Sequence, residues 1–191
     1  MSLSKSNGFA VEADMEASVR QWLEAQGFTV MRQRRLWNRL ADLVAVEFDD
    51  ARCQQRLRQG PLSPWGASWR CAREIVQPPD WYPLHRRVWA IELKLTDYQT
   101  AVYQCRAYGK AALETYVAMP EEELTERRLP RVCELCEKHG VGLLCVRPDG
   151  VTGFLHSEWG ARKFRAEDVV NTVEKAWKAW RKEHRDVARQ E

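Results

Sequence analysis

No stretch of this chain holds 18 consecutive apolar residues, so a membrane-spanning helix is not expected. The opening residues, MSLSKSNG, are polar and lack the apolar core of a secretory signal. Residues 1–10 are therefore expected to be a short disordered lead-in, and the protein to be cytoplasmic. The six cysteines are then expected as reduced thiols rather than disulfides. A second close cysteine pair is also missing. Cys133 and Cys136 have C-x-x-C spacing with no companion pair, whereas four-ligand zinc and iron–sulfur sites usually carry two. They read as small buried side chains before they read as ligands. Acids are absent from two segments. Residues 31–40 contain Arg32, Arg34, Arg35 and Arg39, and residues 52–73 contain Arg52, Arg56, Arg58, Arg70 and Arg73. Such blocks suit phosphate backbones, although arginines also simply solvate a surface, and the net charge of +3 decides nothing between the two.

What is present is ordinary globular material: 45% hydrophobic and 30% charged residues over 191 positions, enough for one domain with a real core. Met15, Val19, Trp22 and Leu23 recur at helical spacing over residues 13–26, with Gly27 as a stop. Residues 28–35 alternate as a strand, and LADLVAVEF over 40–48 is a denser one. Residues 50–86 change character, with five prolines and with Trp65, Trp69 and Trp81. They read as an insertion with room for a short strand at 68–76. VWAIELKL over 88–95 is a second strong strand. A helix over 97–113 and a strand over 114–119 come next. A helix from Pro120 to His139 is expected after them, with Glu121, Glu122 and Glu123 in its first turn. Pro148-Asp149-Gly150 marks a hairpin between 141–147 and 151–155. Residues 156–191 form a C-terminal helical extension, with its helix at 166–185. The fold class is α/β: one domain, a mixed central sheet flanked by helices.

Two features carry chemistry. Asp42 lies inside an otherwise apolar strand, and Glu92 and Lys94 lie two residues apart in another. Period two sends Glu92 and Lys94 to one face. Buried charge is costly unless paired or bound to metal. A buried salt bridge among Lys94, Glu92 and Asp42 would satisfy that rule, and so would a cation site.

The ordered set is Asp42, AIELKL, Asp97, AVYQCRAY and YVAMP. It resembles the PD-(D/E)XK, or restriction-endonuclease-like, nuclease superfamily over roughly residues 12–147. In that family a strand carrying Asp precedes a strand with (D/E)-x-K, and a helix often carries Q-x-x-x-Y. The corresponding residues are Asp42, Glu92, Lys94, Gln104 and Tyr108. Glu16 matches the glutamate often found on the first helix, with Glu12 as its rival one turn earlier. Here Ala41, not proline, precedes Asp42. A literal Pro79-Asp80 exists, but it lies in the Pro/Trp-rich stretch rather than a β run, so Asp42 is preferred.

The resemblance implies a restriction-endonuclease-like core and metal-assisted hydrolysis of phosphodiester bonds in DNA. Asp42, Glu92 and the Leu93 carbonyl would bind Mg²⁺ or Mn²⁺. Lys94 would orient a water or neutralise phosphate charge, and Glu16 would hold a metal-bound water or join a second metal. Gln104 would contact Lys94, the water or a phosphate, or else be a satisfied core amide. Tyr108 reads as a packing aromatic. Enzymes of this fold that cut both strands often work as homodimers. The Trp and Arg residues of the insertion would stack on bases, or close a satellite core. The alternative function is a nuclease-fold protein that binds nucleic acid or a protein partner without cutting.

Overall fold

The computed structural model describes residues 9–36, 38–59, 84–157 and 166–184. Six strands form one mixed sheet in the order β1 to β6: β1 (Phe28–Leu36), β2 (Arg39–Phe48), β3 (His85–Leu93), β4 (Glu114–Pro120), β5 (Gly142–Arg147) and β6 (Gly150–Leu155). The first three strands are antiparallel neighbours. β3, β4 and β5 run parallel, and β6 closes with an antiparallel hairpin. Parallel neighbours need a crossover, and α3 (Tyr98–Tyr108) and α4 (Leu129–Lys138) provide two in succession.

Helices cover both faces, so the sheet separates two cores. On one face α1 (Glu12–Ala25) lays Met15, Val19 and Leu23 over Leu43, Ile91 and Leu93. Gly27, at φ +83°, ends α1 in a backbone region that glycine enters without a Cβ clash. On the other face α3, α4 and α5 (Ala166–His184) cover Val44, Val46, Ala90 and Val117. Residues 166–184 are thus an integral layer of the domain. Trp177 and Trp180 stack at 5.0 Å and meet Phe48 of β2 at 6.1 and 6.0 Å. Among the described residues no helix is long and apolar enough to cross a membrane.

Two expected elements change. The helix expected over 120–139 is a 3₁₀ turn at Glu121–Glu123, then a break, then α4. Pro130 is the reason. In a helix interior it would remove a hydrogen bond and clash with the preceding turn, but in the first turn of α4 it does neither. The segment expected to be irregular from residue 50 instead starts with a helix, α2 (Asp50–Gln59), which precedes the first of its prolines. The strand expected at 68–76, the three tryptophans and Pro79-Asp80 lie outside the described residues.

The ends of β2 and β3 are clasped before and after that segment. Asp49 N–H donates to Leu84 O at 2.8 Å, and the Arg86 guanidinium sits 3.5 Å from the Asp49 carboxylate. Beside this clasp, burial pushes His85 down to about 4, and its Nδ1 has no partner among the described residues. Between pH 6.5 and 4 the unfolded chain therefore holds a proton that the folded chain refuses. Stability should fall as pH drops through that window, by up to about 1.4 kcal/mol per pH unit from this group, and level off below it. His85→Gln should lose this component. Urea midpoints at neutral pH and near the bottom of the window test it: an unchanged wild-type-minus-variant difference would mean that the imidazole is solvated.

Candidate active site

The site forms where β2 and β3 part. Their ladder pairs Leu43 with Ile91 and stops there, so Asp42 and Glu92 face the gap. The Asp42 carboxylate bridges it: Leu93 N–H donates to Oδ2 at 2.8 Å. A side-chain oxygen thus replaces the ladder carbonyl, fixing Asp42 against the neighbouring strand.

Across the gap Glu92 is 2% exposed. Its Oε1 is 3.2 Å from Lys94 Nζ, and its Oε2 is 2.6 Å from the Tyr108 hydroxyl on α3. The same hydroxyl is 2.7 Å from the Leu40 carbonyl of β2. A phenol has one proton and a carbonyl only accepts. If Tyr108 donates to Leu40, the short contact to Glu92 is a hydrogen bond only when Glu92 carries a proton. Burial raises the affinity of Glu92 for that proton. The Tyr108 contact opposes the rise, the Asp42 charge adds to it, and Lys94 opposes it. Tyr108 itself is held firmly neutral, first by burial and then by Glu92.

Asp42 shows the same pattern. Burial raises its carboxyl above the ordinary range against the Leu93 N–H bond and the Lys94 cation, and the charges of Glu12 and Glu16 push it further. Lys94 brings a cation to these acids. Besides Glu92 it reaches Glu12 of α1 at 3.4 Å and donates to its neighbour's carbonyl, Leu93 O, at 3.1 Å. Burial works against its charge, but Glu92, Glu12 and Asp42 outweigh burial and keep it protonated.

Asp42, Glu92 and Lys94 are therefore together. The first-helix carboxylate that touches Lys94 is Glu12, while Glu16, 9% exposed, pairs with Arg32 of β1 and acts on Asp42 through its charge alone. Leu93 contributes its N–H to Asp42 and its carbonyl to Lys94. Gln104 lies on α3 one turn before Tyr108, with a buried Oε1 that has no hydrogen-bond partner among the described residues. Tyr108, expected as a packing aromatic, is buried in the core and also bridges both strands through its hydroxyl. An aromatic in a helical stripe carries no signal that its polar end is used.

The C-x-x-C pair lies elsewhere, on α4. Burial pushes the Cys136 thiol up to about 12 and that of Cys145, on β5, to about 11. Both stay protonated, which makes them poor nucleophiles and ligands. Among the described residues no group of three His, Cys, Asp or Glu is arranged to hold a metal unaided.

No family model matches the chain, and no curated protein matches it. Among solved structures it is similar to a protein of unknown function from Silicibacter pomeroyi, with a TM-score of 0.50 and 15% identity over 96% of this chain and 92% of that one. At that identity the likeness concerns the fold alone.

Proposed function

We propose that this protein is a metal-dependent nuclease that hydrolyses phosphodiester bonds of DNA, and that its sheet and helices form a restriction-endonuclease-like core. One observation carries the reading. Two carboxylates from adjacent strands converge at the point where the ladder opens, and both are more basic than usual despite a lysine nearby. One ammonium does not balance Asp42, Glu92 and Glu12. A divalent cation would, and hard oxygen donors of this kind suit Mg²⁺ or Mn²⁺.

Asp42 and Glu92 would hold the cation, with the Leu93 carbonyl as a neutral third donor. Bound there, a metal would acidify a water and stabilise charge on the phosphate. The chain's own groups do the rest. Asp42 is oriented by the Leu93 N–H and Glu92 by the Tyr108 hydroxyl. Lys94 stays protonated, so it acts as a positive charge on a phosphate oxygen rather than as a base, and Glu12 aims it. The Oε1 of Gln104, without a partner among the described residues, would be an acceptor for a water or a sugar hydroxyl.

A second reading has its own observation. Both oxygens of Glu92 already have partners. Such a closed network suits a nuclease-fold protein that binds nucleic acid or a protein without cutting. Plasmid and single-stranded DNA incubated with Mg²⁺ or Mn²⁺ separate the two. Wild type should cut, and Lys94→Ala should lose about 10²-fold or more, the scale for removing one group that stabilises transition-state charge. Intact DNA in every wild-type lane, with no metal effect on melting, would select the second reading.

A further inference from the structure

The β1–β2 hairpin outruns the sheet. β2 stops pairing with β3 at Leu43, yet β1 and β2 stay paired through Arg34↔Ala41, Arg35↔Leu40 and Leu36↔Arg39. The tip is thus a two-stranded ribbon. Opposed residues of an antiparallel pair share a face. Leu36 and Ala41 belong to the core under α3 and α5, and Leu43 to the core under α1. Arg34 and Arg39 therefore flank the first face. Arg32, opposite Leu43, lies on the α1 face and bonds Glu16 there.

Strict alternation would place Arg35 away from Arg32. Gln33 sits between them at φ +45°, at the level where the ladder skips from Arg32↔Leu43 to Arg34↔Ala41. A non-glycine residue rarely adopts that conformation. It breaks the alternation between Arg32 and Arg34, so Arg34 lies on the face of Ala41 and Arg35 on the opposite one.

Arg34, Arg35 and Arg39 are exposed, and residues 31–41 contain no acid. Arg87, Arg128 and Arg147 are each paired with an acid, Glu47, Glu123 and Glu121 respectively. The three on the ribbon have no acidic partner among the described residues. Leu40, 54% exposed, stands among them, and its carbonyl is one hydroxyl away from Glu92. The ribbon therefore abuts the carboxylates. A phosphodiester approaching Asp42, Glu92 and Glu12 is repelled, and uncommitted guanidiniums beside them offset that repulsion.

We infer that the β1–β2 ribbon is the surface that grips duplex DNA, with Arg34, Arg35 and Arg39 on phosphates flanking the one presented to Asp42. Cleavage of the gripped duplex rests on the nuclease reading; the grip itself is testable without catalysis. Fluorescence anisotropy of a labelled duplex, in EDTA across a KCl series, compares the full-length wild type with the triple variant Arg34→Gln/Arg35→Gln/Arg39→Gln. Three lost phosphate contacts should flatten the slope of log K against log salt by about 2.7. Affinity should fall by at least ~10-fold. Arg106→Gln, an exposed arginine on α3, should change neither quantity, and matching melting curves should show that all variants fold.

An unchanged slope in the triple variant, wild-type preference for the single strand, or equal competition by polyglutamate would overturn the inference. Hydrolysis of bis(p-nitrophenyl) phosphate with Mn²⁺ isolates the chemistry, because that diester is too small to span site and ribbon. If wild type hydrolyses neither this diester nor DNA while the slope change is seen, the nuclease reading fails and the ribbon assignment stands. If both proteins bind DNA equally and both hydrolyse the diester, the ribbon assignment fails and the nuclease reading stands.

Discussion

Asp42→Asn should raise the melting temperature of the metal-free protein and erase its stabilisation by Mn²⁺ or Mg²⁺. The two effects have one origin. Asparagine keeps an oxygen for the Leu93 N–H, so the bond across the gap survives. It removes a charge that burial and the nearby Glu12, Glu16 and Glu92 make unfavourable in spite of Lys94. Asp42 is half-buried, so solvent screens part of this gain. About 1 kcal/mol is a reasonable scale, and in a chain of this size it corresponds to roughly 2–4 °C. Wild type, by contrast, should gain about 2.7 kcal/mol when metal is a hundredfold above its dissociation constant, and the variant almost none. Differential scanning fluorimetry in EDTA and in a Mn²⁺ series measures both. A variant that melts lower in EDTA yet still responds to metal would show that Asp42 is a structural partner of Lys94. DNA cleavage should fall with the metal response, by more than the ~10–100-fold typical of losing an outer-shell partner.

Gly142→Ala should be among the most damaging single substitutions in the chain. Gly142 on β5 is the parallel partner of Tyr116 on β4. A Cβ placed there falls well inside contact distance of Tyr116 Cδ1 and Cε1 and 2.8 Å from the Leu155 carbonyl oxygen. Neither neighbour yields easily. Tyr116 is 2% exposed, packs at 4.5 Å on Trp89 and donates its hydroxyl to Glu114, and Leu155 O belongs to the backbone of β6. The expected cost is about 3 kcal/mol or more, the upper end for overpacking, or a melting temperature lower by roughly 10 °C. Tyr116→Leu relieves the clash at its own cost in packing. The double variant should therefore be more stable than the sum of the two changes by at least ~1 kcal/mol. A melting temperature for Gly142→Ala close to wild type would mean that β5 and β6 move apart freely.

Asp42, Glu92 and Lys94 were legible because the sequence presents them as anomalies, ionisable side chains inside runs that are otherwise apolar. Period two places such residues without any knowledge of neighbours. The choice between Glu12 and Glu16 was not legible. They are four residues apart on one helical face, so helix geometry treats them alike. Only the position of Arg32 draws Glu16 away and leaves Glu12 to Lys94. Gln33 was invisible for another reason. Its positive φ sits where no glycine or asparagine marks the place. The break before α4 was in principle readable from Pro130, but the acids after Pro120 offered an earlier start that satisfied the same rules.

The clasp between Asp49 and Leu84 has a consequence for how such a molecule can change. It closes a neck at the end of β2 away from Asp42, and six residues of strand set the two about 20 Å apart. Chain entering and leaving through that neck transmits no register to the β2–β3 gap, because the clasp and the ladder from Phe48 to Leu43 absorb it. Length and composition between residues 60 and 83 can therefore drift, be shortened or be exchanged while the carboxylates keep their places. Descendants of this chain are free to vary that segment while inheriting the placement of Asp42 and Glu92 unchanged.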